Sequence, residues 1–186
     1  MKSRNNALRL LAMFAALLLS LGGAPAFAAV QITFYSKELG ASFPHTFVTV
    51  EGTPDRGGAR IDEDYGFSAK SISPAILMGR VKGKVISDHT PGYIKGSDRH
   101  FTLTLTDAEY DGVIAVIEHW RQRSQPTYDL DTQNCIHFVA DIARSIGFTA
   151  DVPKRLVRKP RSYLEWLTEQ NRAALAARSA TFHRKA

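Results

Sequence analysis

Every strand-like run in this chain precedes every long helix-like one, and that order narrows the folds open to it more than any other feature. "VQITFYS" (Val30 to Ser36) and "HTFVTVEG" (His45 to Gly52) are rich in β-branched and aromatic residues, and the second alternates apolar with polar. "TPDRGG" is a turn, so Ala59 to Ser68 reads as the returning strand of a hairpin. "GRVKGKVISD" (Gly79 to Asp88) and "RHFTLTLT" (Arg99 to Thr106) are further strands, with "HTPGYIKGSD" as the loop between them. Only then does a capping box, Thr106 to Glu109, open a helix to about Arg123. Its apolar face carries Val113, Ile114, Val116, Ile117 and Trp120. A second helix runs from Asn134 to about Ile146 and stops at Gly147. A third starts at a second capping box, Ser162 to Glu165, and runs through about Ala177. Parallel βαβ units alternate their elements, so this segregation predicts an α+β domain with a small antiparallel sheet packed against helices.

The N-terminus reads as a separate segment. Lys2, Arg4 and Arg9 precede an apolar run from Leu10 to Leu21, and Gly22, Gly23 and Pro25 then break it before Ala26-Phe27-Ala28. That is the pattern of a cleaved secretory signal peptide, and the run is short for a membrane span. The expected organisation is a signal peptide at 1–28, one domain at 29–178 and a flexible basic tail at 179–186. Localisation follows as periplasmic or secreted. The signal segment holds three of the 24 Lys and Arg residues, against 18 acidic residues elsewhere, so the remaining chain carries an excess of only three positive charges. With no arginine–aromatic interleaving, that balance argues against a nucleic-acid partner. The late basic residues, from "KRLVRKPR" (Lys154 to Arg161) to Arg184 and Lys185, suggest at most a weak electrostatic contact with an anionic envelope.

An exported chain normally uses cysteine in pairs, yet this one has a single cysteine, Cys135. A lone thiol is either inert packing or a nucleophile. Asn134 is a good N-cap, which sets Cys135 in the first helical turn. Free N–H groups and the positive dipole end there favour an anion, so the thiol is expected to be acidified. The same N–H groups suit an oxyanion. Two residues along a helix is about 200° of rotation, so His137 points away from Cys135. The thiol instead shares the face of Phe138, Val139, Ile142 and Ile146, toward the sheet. Among the other histidines, His45 opens an alternating strand just after Pro44 and is the best-placed base. His89 and His100 flank a loop, His119 lies on the long helix and His183 in the tail. No zinc or calcium ligand spacing occurs, and no cofactor is expected.

"PHTFVTVEG" followed much later by "NCIHFVADIARSIGF" resembles the circularly permuted papain-like, NlpC-type cysteine amidase and peptidase superfamily. In its lecithin:retinol acyltransferase-like branch the histidine strand also comes first and an Asn-Cys-x-His-Phe box later. Asn134 to Phe138 fits that box, and the resemblance spans roughly His45 to Phe148. It implies a permuted papain-like fold with Cys135 as nucleophile, His45 as base and a third polar residue orienting the imidazole. Asp64, one strand over, is chosen for that third place ahead of Asp62 and Glu51. The second histidine that serves in the lipid-modifying relatives is missing from this hairpin. The implied activity is amide hydrolysis through a thioester, in cell-wall peptides. A lipid-directed acyl hydrolase or transferase, or an inactive binding module, are the alternatives.

Overall fold

The computed structural model describes residues 29–38, 43–122 and 127–183. The expected signal peptide and the end of the basic tail lie outside them. Strand β1 (Gln31–Lys37) pairs with β2 (His45–Gly52), which pairs with β3 (Ile61–Ala69). A short helix α1 (Ala75–Met78) leads to β4 (Val81–Ile86), and α2 (Pro91–Lys95) leads to β5 (Asp98–Thr104). Then come α3 (Asp107–Gln122), β6 (Thr127–Tyr128), α4 (Cys135–Ser145), α5 (Pro160–Gln170), α6 (Arg172–Ala177) and β7 (Thr181–Phe182). The seven strands form one antiparallel sheet in the order β6-β4-β3-β2-β1-β5-β7. The class is α+β: the five long strands precede the long helices, with only α1 and α2 between them, and the two-residue strands β6 and β7 join the sheet from later in the chain.

The pleat divides the sheet. Ile32, Phe34, Val48, Val50, Phe67, Phe101 and Leu103 point to one face and are buried in the core with α3, α4 and α5. Phe67 meets Trp120 of α3 edge-on at 4.7 Å, and Trp120 meets Phe138 of α4 at 5.5 Å. Each large apolar side chain so buried is worth about 1.5–3 kcal/mol. The Trp120 indole N–H also donates to Asp141 at 2.9 Å, tying α3 to α4. Helix α4 ends as its sequence predicts: Gly147 has φ +86°, and Phe148 N–H returns to the Ala143 carbonyl at 3.0 Å.

Several segments differ from the sequence reading: the expected loop after β4 contains α2, and the third expected helix is divided at Asn171 into α5 and α6. Residues 75–78 form α1, which has no periodic pattern to reveal it. Helix α5 begins at Pro160, with no side-chain cap and proline in its first turn. The expected tail begins with β7, whose Thr181 and Phe182 pair with Thr102 and Phe101.

Candidate active site

Asn134 builds the start of α4. Its Oδ1 accepts the N–H groups of Ile136 at 2.9 Å and His137 at 3.3 Å. Its Nδ2 donates to the carbonyls of Leu130 at 2.6 Å and Val157 at 2.7 Å. One buried amide thereby clamps the helix start to the loops before and after it. His137 closes the capping box, its Nδ1 accepting the Asn134 N–H at 3.3 Å. Asp129 shapes the approach by accepting from Asp131 N–H, Thr132 N–H and the Thr132 hydroxyl, each at 2.9 Å.

That clamp sets the thiol of Cys135 inside the protein, 3% exposed. The backbone N–H groups of Thr46, Ile136 and Cys135 itself, with the Tyr128 hydroxyl, face the sulfur as donors. The last registered β2–β3 pair is Phe47 with Gly66, so Thr46 lies beyond the ladder. Burial nevertheless pushes the Cys135 thiol up to about 11, against the donors that pull it down. The sequence reading expected the helix start to acidify this thiol. Loss of water outweighs it, because the surrounding shell comes from distant segments that local sequence does not display. The Tyr128 hydroxyl is likewise pushed up, first by burial and then by the neighbouring Cys135.

On the strand side, His45 begins β2 and is 8% exposed. Its Nε2 is buried and has no hydrogen-bond partner. The ring lies over Gly66 of β3, where an added Cβ would stand 2.6 Å from His45 Nε2 and 3.2 Å from His89 Cε1. Glycine is required there for space alone. His89 reaches the same spot from the loop after β4, its ring 5.5 Å from that of His45. Phe47 at 4.4 Å and Tyr93 at 5.0 Å stack on the His89 ring. Its Nδ1 is bound to Asp64 Oδ1, and its own buried Nε2 has no partner. Burial first, and the neighbouring His89 second, push the His45 imidazole down to about 3. Cysteine and histidine are therefore both neutral at pH 7.

Cys135, His45, His89, Tyr128 and Asn134 line one cavity of about 530 Å³. The two residues singled out as nucleophile and base thus share a chamber, the sulfur facing the N–H of the residue after His45. Asp64 engages His89 rather than His45. His89 carried no sequence signal of a site role, since it sits in a loop and its place depends on Gly66 and Asp64. Tyr128 was visible only as part of the approach to the cysteine box.

Among the described residues, no group of three or more His, Cys, Asp or Glu side chains is arranged to hold a metal ion. No described helix is long and apolar enough to cross a membrane. Compared with known protein families, curated proteins and solved structures, the chain matches none.

Proposed function

We propose that this chain is an exported cysteine hydrolase of permuted papain-like fold, acting on an acyl bond through a thioester. The observation that carries the reading is the shared cavity: a helix-start thiol and a strand-start imidazole line it together, with four donors facing the sulfur. Because both groups rest neutral, the pair works by general-base catalysis rather than as a preformed ion pair. His45 takes the thiol proton as Cys135 sulfur bonds to the carbonyl carbon. The carbonyl π electrons move to oxygen, within reach of N–H groups at the start of α4 and the Tyr128 hydroxyl. Collapse expels the amine or alcohol, which leaves with the proton from His45. Water, deprotonated by His45, then attacks the thioester and releases the acid and the thiol. His89, anchored by Asp64, supplies the orienting group beside His45.

Cell-wall peptides are the substrate first expected of an exported amidase. The cavity lining favours a second reading, a lipid-directed acyl hydrolase or transferase, because its wall is largely apolar, with Phe43, Ile72, Ile76, Leu77, Ile86 and Leu130 among its residues. One experiment tests both. Purified peptidoglycan and a series of acyl esters of increasing chain length are incubated with the wild type and Cys135→Ala, and products are read by mass spectrometry. New termini in the peptide stems that vanish with Cys135→Ala support the amidase. A rate that climbs with acyl length supports the lipid reading. No Cys135-dependent product from either set refutes the hydrolase.

A further inference from the structure

Five large apolar side chains are conspicuously exposed among the described residues: Phe43, Ile72, Leu77, Met78 and Phe182. Three of them, Phe43, Ile72 and Leu77, line the cavity that holds Cys135. Met78, 89% exposed, follows Leu77 at the end of α1. Exposed apolar groups scattered singly need no explanation, but a group gathered at one cavity mouth marks a contact surface.

The charges around that mouth indicate what the surface meets. From Tyr65 to Ser87 the chain carries Lys70, Arg80, Lys82 and Lys84 and no acidic residue. The β3–β4 register sets Ser68 opposite Lys84, and Lys70 N–H donates to the Lys82 carbonyl at 2.7 Å. Strand alternation therefore puts Lys70, Lys82 and Lys84 on the sheet face that carries His45. All three lysines are exposed, and Arg80 has only a loose 3.8 Å contact with Asp129. Apolar side chains standing clear of the surface beside a set of cations match the boundary of an anionic bilayer, where the first enter the acyl region and the second meet phosphate. A wholly apolar protein partner gives no use to the cations. A second copy would set the same cations against each other.

We propose that the mouth formed by Phe43, Ile72, Leu77 and Met78, flanked by Lys70, Arg80, Lys82 and Lys84, docks on anionic phospholipid and presents the Cys135 cavity to the membrane surface. The contact does not depend on catalysis, so its test stands apart from that of the hydrolase. An environment-sensitive nitrobenzoxadiazole fluorophore is placed on the full chain through Met78→Cys in a Cys135→Ala background, and separately through Glu51→Cys at the far end of β2. Each is mixed with vesicles of phosphatidylglycerol or of phosphatidylcholine. The expected result is a several-fold brighter, blue-shifted emission at position 78 with phosphatidylglycerol and little change at 51. Adding Leu77→Asp, or Lys70→Glu with Lys82→Glu, removes the change, as does 1 M salt, where screening acts within about 3 Å. Because the readout is local to position 78, lipid binding elsewhere in the chain does not imitate it. An unchanged probe at 78, an equal response to both lipids, or a concentration-dependent shift without lipid that reports self-association would each overturn the proposal. Circular dichroism of each variant separates lost docking from lost folding.

Discussion

The protonation state of Cys135 is the point at which the structure departs most from expectation, and it is directly measurable. Burial carries the thiol from an ordinary value of 9.0 to about 11. At pH 7 that leaves about one molecule in ten thousand as thiolate, roughly a hundredfold less than a thiol of ordinary acidity. His45, pushed down to about 3, offers no resting imidazolium to offset this. Alkylation of the native full chain by iodoacetamide should therefore be slow at pH 7. Its rate should keep rising tenfold per pH unit through pH 9 and bend only near 11. The slope matters more than the absolute rate, since a thiol 3% exposed also reacts slowly for want of access. Denatured chain, assayed in parallel, supplies the ordinary profile. The modified peptide is counted by mass spectrometry after quenching. A plateau with a midpoint below about pH 8 would refute the reasoning, because it requires a thiolate–imidazolium pair that burial should forbid.

Three further outcomes follow from the same geometry. Gly66→Ala puts a methyl group 2.6 Å from His45 Nε2, forcing the ring aside by about 1 Å; the proposed hydrolysis should fall about a hundredfold while the melting temperature drops only modestly. Asn134→Ala removes the α4 cap and strands the Leu130 and Val157 carbonyls, so urea titration should show a loss of about 3 kcal/mol, with Asn134→Asp intermediate because it keeps the cap acceptor. His45 and His100 are both held neutral, at about 3 and about 4, by burial above all, so below about pH 6.5 the unfolded chain binds the more protons. Stability should be complete above that pH and fall progressively as pH drops toward 4 and then 3, and His100→Gln should flatten the part of the urea-midpoint curve above pH 4.

Much of this architecture is legible in the sequence because it rests on short-range pattern. The alternation from His45 to Gly52 predicts a strand, and β2 spans those residues. The Asn134 cap and Gly147 stop bracket α4, and the rotation argument that separates His137 from Cys135 matches a histidine spent on closing the cap. What was not legible depends on partners far along the chain. Helix α1 is one turn whose leucine and methionine face outward, so no periodicity marks it. His89 acquires a place only because Gly66 leaves space and Asp64 holds its Nδ1. The tail gains order from the free edge of β5, where His183 N–H meets the His100 carbonyl at 2.9 Å.

The neutral resting pair also bears on why a lone thiol would suit the chain if it is exported, as proposed. A thiolate held at a surface in an oxidising compartment is the species most open to oxidation and to capture by stray disulfides. Cys135 avoids that by lying protonated at the bottom of a largely apolar cavity. The donors around its sulfur do not stabilise enough negative charge to ionise it at rest. In the proposed hydrolase they become effective once an acyl group occupies the cavity. Negative charge then passes from sulfur to a carbonyl oxygen in the same small volume, and the N–H groups and Tyr128 hydroxyl already stand there without reorganisation. In the proposed mechanism His45 takes the proton, and its partnerless Nε2 lies over Gly66, where the His89 ring also reaches. Asp64 fixes His89 at Nδ1, while the buried Nε2 of His89 and that of His45 each lack a hydrogen-bond partner. Burial thus suppresses the reactive form in the empty protein, and on the proposed mechanism substrate binding supplies the arrangement in which it forms.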